Sequence, residues 1–152
     1  MKPSSRGFTL IELMVVIAVT AILLAVAAPS FSRFMDSQRL RTVSTAFHSS
    51  LVKARSEAIK RNANVLVVPN DTDFKKGWRI CLEANCTTVL SVESGANSSY
   101  TFNPSGTATT FTPNGRSTAS TSYSVKSTQY TDAEMCVVVS TSGTPQLKKG
   151  AC

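Results

Sequence analysis

Near the start of the chain, Phe8 and Glu12 could do chemistry together. Cutting the peptide between Gly7 and Phe8 would expose an amine at Phe8 with a pKa of about 7.7–8. On a helix that includes both residues, positions four apart share a face. The new amine could then pair with the Glu12 carboxylate of its own chain or of a neighbouring one. A pair between chains would neutralise two charges in an apolar setting and fix the axial register between subunits. A carboxylate at the centre of a bilayer helix costs about 2.5–3.5 kcal/mol on insertion scales, so an acid in such a segment usually has a task. Glu12 sits near one end of its apolar run, where the cost is smaller.

The element that must carry this pair is a long helix. From Leu13 to Ala28 only Thr20 is polar, and Lys2 and Arg6 precede the run. Three readings fit. The first is a membrane and filament segment in which Glu12 has a function. The second is a signal peptide cut near Ala25-Val26-Ala27. The third is a plain single-span anchor. Only the first gives Glu12 a purpose. Pro29 follows, removes the backbone bond to the Ala25 carbonyl, and should kink or loosen the helix. Leu40, Val43, Phe47, Leu51, Ala54 and Ala58 then fall on one helical face, up to an end marked by Asn62 and Asn64. Fully helical, residues 8–61 would span about 80 Å.

The stretch Gly7-Phe8-Thr9-Leu10-Ile11-Glu12-Leu13 resembles the prepilin cleavage site of type IV pilins and type II secretion pseudopilins. The resemblance implies cleavage after Gly7 by a membrane-embedded prepilin peptidase and methylation of the Phe8 amine. It also implies that Glu12 guides the subunit into a helical filament built from the bacterial inner membrane. Pro29 resembles a proline of the same proteins. The expected divisions are a leader over 1–7, a hydrophobic helix over 8–28, its amphipathic half over 29–63 and a β-rich head over 64–152. The expected location is the inner membrane, crossed once, and then the pilus, with the head periplasmic or extracellular.

The chain of 152 residues has room for one domain besides the anchor. Its formal charge is +7, with 16 Lys and Arg against 9 acids. Such a balance suits DNA, lipid headgroups or acidic partner subunits and does not choose among them. Cys81, Cys86, Cys136 and Cys152 are an even set, which in an exported chain reads as two disulfides. Cys81 and Cys86 flank a short turn, Leu82-Glu83-Ala84-Asn85. Cys136 and Cys152 would tie the last strand and the tail to the domain. A zinc site would want histidines and further short cysteine spacings, so no metal and no cofactor is expected. Nor is there a nucleophile elbow, a phosphate-binding glycine loop or a triad, and an enzyme is not indicated.

Past Ala63 the pattern turns to strands: Val65–Val68 ending at Pro69, Gly77–Leu82, Thr88–Val92, Ser99–Asn103, Thr109–Thr112, Ser122–Ser127, Met135–Ser140 and Pro145–Lys148. Asn70 to Gly77 reads as a loop, whose Asp71 and Asp73 are solvated or hold a cation weakly. Residues 103–128 contain 13 Ser and Thr among 26, with Phe111, Tyr123 and Val125 pointing to exposed strands rather than a linker. The fold class is α+β, a long N-terminal helix on an antiparallel sheet or sandwich. Asn85-Cys86-Thr87 and Asn97-Ser98-Ser99 match the glycosylation pattern, which carries little weight beside a prepilin signature. Phe111-Thr112-Pro113-Asn114-Gly115-Arg116, Cys136-Val137-Val138-Val139-Ser140 and the closing Cys152 resemble the GspH/FimT group of minor pilins and minor pseudopilins. This resemblance implies a subunit that assembles into, primes or caps a filament with other major and minor pilins.

Arg33, Arg39, Arg41, Lys53, Arg55, Lys60 and Arg61 share the second helix half with Asp36 and Glu57. They read as a solvated face or as contacts to acidic filament neighbours, and less readily as a nucleic-acid surface, since no aromatics interleave. His48 reads as a surface residue. Some competence-type members of the group bind double-stranded DNA through a Gly-Arg-x-Arg tail motif. Here Gly143-Thr144-Pro145-Gln146 keeps the glycine and lacks both arginines. Arg116, Lys148 and Lys149 are the remaining candidates for phosphate contact, the lysines as point charges only.

Overall fold

The computed structural model describes residues 7–83, 85–95, 99–104 and 106–152. Leader residues 1–6, Ala84 of the turn between Cys81 and Cys86, and Asn97-Ser98 of the second glycosylation pattern lie outside them. The chain forms two compact units, Met1–Met35 and Asp36–Cys152. Helix α1 runs over Leu10–Arg61 and contributes to both.

In the first unit α1 begins on an N-cap, Thr9. The Glu12 backbone N–H donates to Thr9 Oγ1 at 3.3 Å, and the Leu13 N–H to the Thr9 carbonyl at 3.2 Å. Thr9 satisfies donors that the first turn leaves open, and Glu12 stands where a negative charge suits the helix dipole. Thr20 is the polar interruption of the run, and its hydroxyl donates to the Val16 carbonyl at 2.7 Å. Satisfied within its own helix, it can enter an apolar medium at little cost. Helical assignment continues through Pro29 without a break.

Among the described residues the second unit holds the last part of α1 and eight strands: β1 Val65–Asn70, β2 Asp73–Cys81, β3 Val89–Ser94, β4 Tyr100–Asn103, β5 Thr109–Phe111, β6 Thr121–Ser127, β7 Glu134–Val139 and β8 Pro145–Lys149. They form two four-stranded sheets, β3-β2-β1-β5 and β4-β6-β7-β8, in which every pairing is antiparallel. This is the expected α+β architecture, a long N-terminal helix with two antiparallel sheets. The helix stops at a Schellman motif: Asn62 adopts φ 51°, its N–H donates to the Ile59 carbonyl, and the Ala63 N–H reaches back to Ala58. Asparagine tolerates the left-handed conformation that this stop requires.

One side chain of α1 organises the core. Phe47 is fully buried, and its ring lies 5.0 Å from Phe74, 5.1 Å from Trp78, 5.4 Å from Phe102 and 5.0 Å from Tyr123, all edge to face. Phe74 and Trp78 belong to β2 in one sheet, Phe102 and Tyr123 to β4 and β6 in the other. Leu40, Leu51, Ala54 and Ala58 share the helical face and are buried with it. The small alanines let the helix approach the strands closely, and Val65, Val67, Val125, Val137 and Val139 complete the apolar cluster.

Several expectations change. Asn70 to Gly77 is a two-residue hairpin and not a loop. Asn70 pairs with Asp73, and Asp71 and Thr72 take φ 45° and 69°. Two positive φ values in a row are the signature of the turn whose twist matches a hairpin. Pro69 does not end β1 but pairs with Trp78. It is tolerated because β5 pairs only as far along β1 as Val67, so beyond that point β1 has an open edge. Phe111, Tyr123 and Val125 are fully buried. Their strands are therefore core strands, whose serines and threonines face outward or are hydrogen-bonded, as Thr109 Oγ1 is to Tyr123 Oη at 2.6 Å. Asp36 is buried, accepting from Tyr100 Oη at 3.2 Å, and is not an acid of the solvated face. His48 is half-buried, with Nε2 3.3 Å from the Pro145 carbonyl of β8.

Candidate functional site

The first candidate is the start of α1. Phe8 is exposed and precedes the helix, which begins at Leu10. In the uncut chain Phe8 and Glu12 are therefore not two positions on one helical face. The apolar side chains that follow are exposed in this unit, from Leu10 at 77% through Ile11, Leu13, Met14 and Val15 to Leu24 and Val26 at 70%. So much uncovered apolar surface exceeds what a monomer in water presents. By length and composition α1 is able to cross a membrane. The capping role of Thr9 is the contribution that the sequence reading missed. Its signal, Thr-x-x-Glu before an apolar run, was present at Thr9-Leu10-Ile11-Glu12.

The cysteines are joined as Cys81–Cys86 and Cys136–Cys152, each with Cα atoms 5.1 Å apart. The first bridge closes the turn between β2 and β3. The second fastens the tail to β7.

The three candidate phosphate contacts do not form one cluster. Arg116 lies in the turn after β5, where Asn114 Oδ1 accepts from the Arg116 N–H at 3.2 Å and from Thr112 Oγ1 at 2.5 Å. This turn touches the loop before β8. A Cβ added to Gly143, at φ +77°, would lie 1.9 Å from the Gly115 carbonyl oxygen. Lys148 is five residues further on, about 16 Å along an extended strand. Lys149 faces the opposite side of β8 from Lys148. With Arg41, Gln38, Asp132 and Leu147 it lines a groove of about 480 Å³ between α1 and the ends of β7 and β8.

Some of the remaining charges are neutralised locally. Arg61 pairs with Glu57 at 2.5 Å, and this hydrogen bond above all holds the Glu57 carboxyl below its usual range. Lys53 donates to Ser91 Oγ at 3.0 Å. Asp73 is pushed up by burial, but the Lys75 backbone N–H at 3.0 Å and its ammonium at 3.2 Å win, and its pKa is lowered. Asp71 lies 3.6 Å from Lys76. Among the described residues no group of three or more His, Cys, Asp and Glu side chains is placed to hold a metal ion.

Comparison with known proteins agrees with this architecture. The family model described as type II transport protein GspH matches residues 44–143, and the prokaryotic N-terminal methylation motif matches residues 2–28. The type IV major pilin protein PilA of Myxococcus xanthus (strain DK1622) is 58% identical over 33 residues, 22% of this chain and 15% of that one. A fimbrial protein of Pseudomonas aeruginosa is 36% identical over 78 residues, 49% of each chain. The chain thus spans about half or less of these relatives. Among solved structures, the type IV minor pilin FimU of Pseudomonas aeruginosa (strain PAO1) superposes with a TM-score of 0.65 at 22% identity, covering 76% of this chain and 92% of that one. The minor pseudopilin EpsH of the Vibrio cholerae type 2 secretion system gives 0.57 at 14% identity, over 73% and 97%. At such identities the structures speak for the fold. With its model matching about two thirds of the sequence, the chain belongs to the GspH family and carries the prokaryotic N-terminal methylation motif.

Proposed function

We propose that this protein is a minor type IV pilin, a structural subunit that primes, caps or joins a pilus and so supports pilus biogenesis. Residues 1–7 are removed by prepilin peptidase, the Phe8 amine is methylated, and the subunit waits in the inner membrane, crossing it once, until it enters the filament. The observation that carries this reading is the exposed apolar start of α1, headed by Glu12, on a folded head of the GspH family. In a filament core that surface would be covered by the same segments of neighbouring pilins. Glu12 would then stand beside the Phe8 amine of a neighbour and set the axial register. The divisions that follow are a leader over 1–7, a membrane and filament helix over 8–28, its amphipathic half over 29–63 and the head over 64–152.

The experiment is a Glu12→Ala variant expressed in a bacterium whose own pili it joins. The mature N-terminus is read by mass spectrometry, and sheared filaments are probed for the subunit. The expected result is normal cleavage after Gly7, normal disulfides and a large loss from the sheared fraction. Wild-type incorporation of Glu12→Ala would overturn the assembly role. The second reading, a minor pseudopilin of type II secretion, is supported by the description of the matching family and by the EpsH-like fold. Deleting the gene distinguishes the two: lost pili with normal exoprotein secretion supports the first, and the reverse supports the second.

A further inference from the structure

Arg55 stands out among the cations of α1, because one nitrogen of its guanidinium is buried without an acceptor. Its Nε is buried without a hydrogen-bond partner, and Nη1 makes one long bond, 3.3 Å to Thr144 Oγ1. Among the described residues no carboxylate lies within ion-pair distance of Arg55 or Arg116. A buried N–H that forgoes an acceptor costs stability, and such costs persist where the group serves a purpose.

The surroundings show how it is held. Gly115, at φ +74°, lies directly on the helix, where an added Cβ would fall 2.7 Å from Ile59 Cδ1 and 3.3 Å from Arg55 Nε. Gly143 lies in turn on Gly115. Two glycines without side chains let the turn after β5 and the loop before β8 stack on α1. The stack brings exposed Arg116 and Thr144 beside Arg55, with Ile59, 52% exposed, as an apolar wall. Two neighbouring arginines with one hydroxyl and an apolar rim are the composition of a protein-binding anchor. A phosphate backbone would leave Ile59 without a partner. A second copy of the chain is a poor fit, since 16 cations against 9 acids make the protein its own electrostatic repellent.

We propose that Arg55 and Arg116 form the receptor for an acidic segment, one carboxylate flanked by apolar residues, on a neighbouring filament subunit of a different kind. This rests on the pilin reading above. The bound carboxylate accepts from the outer nitrogens of the two guanidinium groups, and its apolar flank packs on Ile59.

The test uses the full chain in cells that assemble the filament, with a benzophenone amino acid at Val52, exposed and one turn before Arg55. Ultraviolet cross-linking should trap another pilin subunit, and mass spectrometry should map the adduct beside an Asp or Glu. Arg55→Gln with Arg116→Gln should lower the yield about tenfold. If that pair misfolds, Arg116→Glu alone, at an exposed position, must lower it. An unchanged yield in the variants, an adduct away from any acid, an adduct to DNA, or no adduct from a subunit present in filaments would each overturn the proposal. Absence of the unmodified chain from filaments would instead overturn the pilin reading on which it rests.

Discussion

Replacing Phe47 by alanine should be the most damaging single truncation in the head. The ring is fully buried and meets four others at 5.0 to 5.4 Å. Phe→Ala in a core costs about 3–5 kcal/mol through lost burial and the cavity left behind. Each edge-to-face pair adds about 0.5–1.5 kcal/mol beyond area. These terms overlap, so the expected loss lies at the upper end, about 5 kcal/mol. A domain this size has roughly 5–15 kcal/mol in all, so Phe47→Ala leaves little to measure, and Phe47→Leu, expected at about 2 kcal/mol, is the quantitative variant. Trp78, the chain's one tryptophan, lies 5.1 Å from Phe47 and reports on the same core. In a urea titration of the full chain in detergent, followed by its fluorescence, a slope of about 2 kcal/mol per molar puts the midpoint shift near 2.5 M for alanine and 1 M for leucine. Val92→Ala, at a 62% exposed edge position, should move it by less than about 0.3 M. The reasoning fails if Phe47→Ala costs under about 1 kcal/mol, or if Val92→Ala costs as much as Phe47→Leu.

Gly143→Ala should destabilise the head by more than about 2 kcal/mol, from backbone strain plus the collision with Gly115, whereas Gly150→Ala, at φ +98° in open space, should cost only the strain, about 1 kcal/mol; paired thermal melts separate them. Removing the Cys136–Cys152 bridge with Cys136→Ser and Cys152→Ser, a separation of 16 residues, should cost about 3 kcal/mol in the same titration, and Cys81→Ser with Cys86→Ser, a separation of 5, about 2 kcal/mol. Burial first, and then the charge and hydrogen bond of Asp36, push the Tyr100 hydroxyl up from 10.0 to about 12. Because the folded value is the higher one, its contribution to stability is full below pH 10 and is lost as pH rises towards 12. Tyr100→Phe should therefore flatten the fall in stability over that window. It should not abolish it, because burial raises Tyr123 in the same direction.

Much of this fold could be read from period and punctuation. The 3–4 spacing from Leu40 to Ala58 marks the buried helical face, and all eight strands fall within a few residues of the apolar alternations that announce them. What escaped was decided by partners far away in sequence. Pro69 is tolerated only because β5 stops short of it. Asp36 is buried only because Tyr100, 64 residues later, is there to donate to it. The Asp71-Thr72 turn was hidden by Thr72, a β-branched residue that seldom adopts positive φ. Of the candidate sites, the start of α1 is a local motif and stands out at once. The Arg55 cluster depends on Gly115 meeting Gly143, a contact that no spacing announces.

The strand order has a consequence for how the head is made. Between β4 and β6 the chain leaves its own sheet to give β5 to the other, so the sheets are laced together and neither is complete until both halves of the sequence are present. Emerging N-terminus first, α1, β1, β2 and β3 can associate early, yet Phe47 must wait for Phe102 and Tyr123 to close over it. During that interval a greasy helical stripe is open to the wrong neighbours, and pairings so distant in sequence form slowly. On the pilin reading, a subunit held by its anchor waits with this stripe confined to the membrane surface, away from unfinished chains in bulk solution. Holding the chain at the membrane would then serve as a folding chamber as much as a store of building blocks.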